Sequence, residues 1–67
     1  MKTIEHFDGM FFAVERHKDG RPLAYSAKDV TLADAVKSHP GVPLAQSAAD
    51  YLCANPHEAD AVARAAG

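Results

Sequence analysis

Sixty-seven residues with a formal net charge of −2 make one domain, near the lower size limit at which a hydrophobic core alone holds a fold. The single cysteine, Cys53, excludes an internal disulfide, and no Cys/His cluster has the spacing of a structural metal site. Packing or self-association must therefore supply the stability. No apolar run approaches the roughly 20 residues needed to span a bilayer, and Met1–His6 lacks the apolar stretch of a signal peptide. A lone free thiol fits a reducing compartment, so the cytoplasm is the expected location.

Charge is unevenly distributed. Residues 1–28 carry Lys2, Arg16, Lys18, Arg21 and Lys28 against Glu5, Asp8, Glu15 and Asp19, a slight positive excess. Residues 29–67 carry only Lys37 and Arg64 against Asp29, Asp34, Asp50, Glu58 and Asp60. The second half is mildly acidic, and nothing builds the basic footprint that a phosphate backbone requires. Fourteen residues are alanine, twelve of them from Ala27 onward, so larger apolar side chains must provide most of the burial.

In chain order, Asp8-Gly9 and Asp19-Gly20 are hairpin dipeptides, because Asp then Gly tolerates the positive φ of a type I′ turn. They divide the first region into strands over 2–7, 10–18 and 21–27, an antiparallel β-meander spanning about 2–27. The middle strand is richest in aromatic and β-branched residues, as a central strand should be. Its alternation sets Met10, Phe12 and Val14 on one face and Phe11, Ala13 and Glu15 on the other. We take Phe12 as the buried aromatic. Pro22 cannot donate a ladder hydrogen bond, so the third strand is an edge or begins after it.

From Thr31 the spacing becomes helical. Thr31 is a good N-cap, and Leu32, Ala35 and Val36 form an apolar stripe, so a helix is expected over 31–39. His39-Pro40-Gly41 ends it. A second helix is predicted over 43–54, opening at Pro43, with Leu44, Ala48, Tyr51 and Leu52 on one face. Asn55 and Glu58 have capping-box spacing for a third helix over 56–66, with Ala59, Val62, Ala63 and Ala66 inward. The expected fold is α+β, a three-stranded meander followed by three short helices on one of its faces.

Chemistry-bearing residues are sparse. His6, His17, His39 and His57 are dispersed, Pro56 separates Cys53 from His57, and the glycines Gly9, Gly20, Gly41 and Gly67 form no phosphate loop. Cys53 reads as a small buried residue rather than a nucleophile, since no basic partner is placed beside it. No catalytic, cofactor-binding or metal-binding residues are assigned, and an enzyme is not expected.

Residues Thr31 to Leu52 nonetheless resemble a helix-turn-helix of the lactose-repressor type. The likeness lies in Thr31-Leu32-Ala33-Asp34, the Gly41-Val42 turn and the closing Tyr51-Leu52. It implies a DNA-binding regulator using residues 31–54, with the second helix in the major groove. The sequence departs from that pattern at Pro40, which lengthens the turn, and in having no Lys or Arg between Lys37 and Arg64. Direct nucleic-acid binding is therefore disfavoured.

The reading that remains is a non-enzymatic protein-binding module, in which Asp34, Asp50, Glu58 and Asp60 face a basic partner and Tyr25 serves as an aromatic anchor. The plainer account of the same acids is a solvated helical surface. In size, alanine content and acidic second half, the chain resembles small phage-borne anti-CRISPR proteins. That resemblance is one of size and style over the whole chain, with no shared motif. It implies action in the cytoplasm of a bacterial host, by binding a nucleic-acid-binding CRISPR effector subunit and blocking target-DNA recruitment or nuclease engagement. An accessory subunit of a larger complex is the other alternative, and a monomer or weak homodimer is the expected state.

Overall fold

A computed structural model describes residues 1–67. Three antiparallel strands, β1 (Lys2–Phe7), β2 (Met10–Arg16) and β3 (Pro22–Tyr25), are followed by helices α1 (Leu32–Ser38), α2 (Gln46–Ala54) and α3 (Ala59–Ala66). A 3₁₀ turn at Pro56–Glu58 leads into α3. The strands lie in the order β1-β2-β3, so β2 is central as expected.

The two hairpins close differently although both contain Asp-Gly. At the first, Asp8 (φ 50°) and Gly9 (φ 74°) are both left-handed, the requirement of a type I′ turn, and Phe7 pairs with Met10. At the second, only Gly20 is left-handed (φ 90°). There the His17 N–H donates to the Arg21 carbonyl (2.8 Å) around a three-residue loop. The register slips between Glu15 and Arg16, which shortens β3 to four residues.

Helices α1 and α2 pack on one face of the sheet, and α3 packs against α1. The core joins Ile4 and Phe11 of the sheet to Leu32, Ala35 and Val36 of α1, Ala48 of α2 and Val62 of α3. Directly opposed residues in an antiparallel pair share a face. Ile4 faces Ala13 and His6 faces Phe11, which fixes the inner face. Phe11 is 2% exposed there, whereas Phe12 is half-buried on the outer face. The expected orientation of β2 is thus reversed. Alternation alone could not orient it, because Phe11 and Phe12 are equally apolar. Packing beyond the strand decides: Phe11 meets Tyr51 of α2 edge-on, with ring centroids 5.0 Å apart.

Thr31 caps α1 as expected, its Oγ1 accepting from the Asp34 N–H at 3.0 Å. Three other helix expectations are corrected. First, α2 opens at Gln46 rather than Pro43, because residues 43–45 run extended beside β1. The Ile4 N–H donates to the Pro43 carbonyl, and the Ala45 N–H donates to the Ile4 carbonyl, both at 2.9 Å. Leu44 forms a parallel bridge with Ile4, so this segment closes the free edge of β1. Second, Asn55 makes no N-cap bond; its amide donates back to the Tyr51 carbonyl (2.9 Å) and finishes α2. Third, α3 turns Val62 and Ala65 inward while Ala59, Ala63 and Ala66 are exposed. The 3₁₀ turn has three residues per turn, so it rotates the helix away from the phase that a continuous α-helix from Pro56 would have.

Candidate protein-binding surface

The outer face of the sheet has no helix over it. Its residues follow from the register: Thr3, Glu5 and Phe7 on β1, and Met10, Phe12 and Val14 on β2, with Tyr25 of β3 opposite Val14. Pro22, opposite Arg16 across the register slip, lies at the end of that face. At its centre lies an ion pair. Arg16 Nε donates to Glu5 Oε2 and Arg16 Nη2 to Glu5 Oε1, each at 2.8 Å, a bidentate fork. The Thr3 hydroxyl donates to the same Oε2 at 2.9 Å, and Arg16 Nη1 donates to the Gly20 carbonyl at 3.0 Å.

This network explains how Glu5, only 7% exposed, stays charged within a sheet. The Arg16 hydrogen bonds hold its carboxyl below the usual carboxylate range, against a smaller opposing push from burial. It also neutralises the face. Val14, flanked by Thr3, Tyr25, Phe12 and Arg16, is completely buried although no helix covers it.

Around the ion pair the face is apolar. Phe7 and Phe12 form a tilted ring pair with centroids 6.4 Å apart. Phe7 and Tyr25 are 44% and 61% exposed. Taking about 200 Å² for each aromatic side chain, these two rings alone present on the order of 200 Å² of apolar surface. Both are large apolar side chains of the kind expected to supply burial. The physical reason they are not buried is that the short helices cover only one face.

The residues singled out from the sequence do not assemble into one site. Tyr25 lies on the outer face of the sheet, opposite the helices. Asp34, Asp50 and Asp60 are exposed on α1, α2 and α3 respectively. Asp50 accepts a hydrogen bond from the Gln46 amide at 2.7 Å. Glu58 is half-buried in the 3₁₀ turn, where its carboxylate raises the Tyr51 phenol above its ordinary value. Cys53, expected to be buried, is exposed on the last turn of α2. The seven residues 39–45 between α1 and α2, part of them bonded to β1, are not the three- to four-residue turn of a helix-turn-helix.

On the inner face, His6 stacks on Phe11 at 4.8 Å between ring centroids and tilts against Tyr51 at 5.0 Å. This is a packed aromatic cluster at the join of β1, β2 and α2. No group of three or more His, Cys, Asp or Glu side chains converges anywhere, and no helix is long and apolar enough to cross a membrane. Compared with known protein families, curated proteins and solved structures, the chain matches none. The outer face could have been anticipated only by asking which half of the alternating β2 pattern three short helices leave bare.

Proposed function

We propose that this chain is a protein-binding module that works by occupying a surface on its partner, with the outer face of the sheet as its principal contact. The observation that carries the reading is the one-sided sheet. Phe7, Phe12 and Tyr25 share that face with a Glu5–Arg16 pair that is already satisfied internally. Such a face loses little on desolvation, because its charges bring their partner with them, and it gains from covering exposed rings. Tyr25 keeps the anchor role expected of it. Asp34, Asp50 and Asp60, on the opposite side, supply a steering field for a basic partner rather than the contact itself.

The resemblance to small inhibitors of bacterial defence makes a CRISPR effector subunit the first partner to test. Inhibition would then consist of blocking target-DNA recruitment or nuclease engagement. Purified effector complexes, titrated against the immobilised chain by biolayer interferometry, provide the test. Tight binding that falls at least tenfold in a Phe7→Ala/Tyr25→Ala variant, and only modestly in Asp50→Lys/Glu58→Lys/Asp60→Lys, is the expected result. The opposite ranking would move the contact to the helices. No binding to any effector subunit sinks the inhibitor reading, and salt-dependent retention of bare DNA would replace it with a regulator.

A further inference from the structure

The two Asp-Gly turns hold their reactive groups differently. In any Asp-Gly pair the glycine nitrogen can attack the neighbouring carboxyl, and glycine has no Cβ to hinder the approach. At the second hairpin both groups are tied down. The Gly20 N–H donates to the His17 carbonyl at 2.9 Å, and Asp19 Oδ1 accepts from the Arg21 N–H at 2.9 Å. His17 Nδ1 lies 3.3 Å from the same oxygen. At the first hairpin both groups are free. Asp8 and Gly9 are exposed, and the Gly9 N–H donates to no other group. Asp8 takes part in none of the chain's ion pairs, and no donor reaches its carboxyl. A Cβ built on Gly9 would meet nothing within 4 Å, so no neighbour shields the nitrogen.

We propose that Asp8 is a site of spontaneous backbone isomerisation, where the Asp8–Gly9 peptide closes to a succinimide and reopens as isoaspartate, while Asp19 is protected. The Gly9 nitrogen attacks Cγ of the protonated Asp8 carboxyl. A C–N bond forms, the nitrogen gives up its proton and the carboxyl hydroxyl leaves as water. Water then adds to one of the two ring carbonyls. Opening at Cγ restores aspartate. Opening at the backbone carbonyl carbon leaves the chain running through Cβ and Cγ of residue 8. One water is lost and one regained, so no co-reactant is needed.

Backbone conformation favours the same site. Asp8 is the one non-glycine residue with positive φ (50°), a region that L side chains rarely occupy. The tip is held only by its flanking strand ends, so local opening lets the nitrogen and carboxyl align. At Asp19 the same alignment must first break the bonds to His17 and Arg21. The product places an extra backbone atom in a two-residue turn, and turn length fixes hairpin register. Isomerisation therefore unseats the Phe7–Met10 pair and displaces Phe7 on the outer face. Any effect on partner binding rests on the function proposed above; the reaction itself does not.

The full chain, incubated for weeks at mildly acidic pH and physiological temperature, reads the reaction directly. An isoaspartyl methyltransferase with a labelled methyl donor marks isoaspartate, and peptide mapping assigns the residue. The same chain in denaturant sets the reference, since both turns are then unconstrained Asp-Gly sequences. Relative to that reference, label at residue 8 should exceed label at residue 19 by roughly tenfold or more, the factor that two hydrogen bonds are worth in a rate. A folded chain whose ratio equals the denatured one, or favours residue 19, overturns the proposal. So does a folded chain that takes up no label. In the purified isoaspartyl form, NMR contacts between Phe7 and Met10 should be lost. Their retention would overturn the predicted change at the outer face.

Discussion

The two faces of the sheet are built from equally apolar sequence and end in opposite states. On the inner face Ile4 and Phe11 are buried against Leu32, Val36, Ala48 and Val62, and Ala13 is buried opposite Ile4. On the outer face Phe7, Phe12 and Tyr25 sit beside a bidentate ion pair, with water as the only cover. The difference shows how a small chain divides its apolar residues. Ten residues are buried, and nine of them are apolar, so the helices have just enough surface to cover one side. The outer side is held together instead by Glu5 and Arg16, which bridge β1 to β2 and, through Gly20, to the second hairpin.

The comparison is easiest to break at neighbouring rings. Phe11→Ala should cost about 3–5 kcal/mol in chemical denaturation, since it empties the centre of the core. Phe12→Ala, one residue on, should cost about 1–2 kcal/mol, since the half-buried ring gives up only part of its transfer energy. Equal losses would mean that the faces are not distinct. Alternation could not choose between these residues, for both are Phe. The choice rests on the register that opposes Phe11 to His6 and on α2, which brings Tyr51 to both.

Local signals were legible where a single residue type answers a single backbone demand. Asp8-Gly9 forms the turn expected of it, and Thr31 caps α1 through its hydroxyl. Where the answer depends on distant residues, the local pattern misleads. Pro43 looks like a helix start, yet residues 43–45 are drawn into an extended path by Ile4, some forty residues earlier. Asn55 and Glu58 have the spacing of a capping box, but the asparagine amide turns back to Tyr51. The candidate site was legible only at Tyr25. The acids of the helices were conspicuous in the sequence because charge is easy to count. The Glu5–Arg16 pair was hidden because its partners are eleven residues apart and meet only through the β1–β2 register.

That pair sharpens the comparison through pH. The folded-state pKa of Glu5 is depressed, so its contribution to stability is fully present above the unfolded carboxylate value of about 4.3. It is lost as pH falls through the lower folded value, where the native state must take up a proton. Thermal melts from pH 7 downward should show the midpoint falling below about pH 4, with a shallower fall in Glu5→Gln. Identical acid slopes would remove the ion pair from its place at the centre of the outer face.

The smallest effect is the most informative about function. Tyr25→Ser removes a ring that is 61% exposed and packs against no helix, so its cost in stability should lie within about 0.5 kcal/mol. The same substitution should weaken partner binding, because the ring lies on the outer face beside the Glu5–Arg16 pair. Denaturation and a partner-binding titration on one sample separate these effects. A large loss of stability would make Tyr25 a cover for Val14, part of an outer core that protects the sheet. Retained stability with lost partner binding would mean that the ring stands exposed for something other than folding.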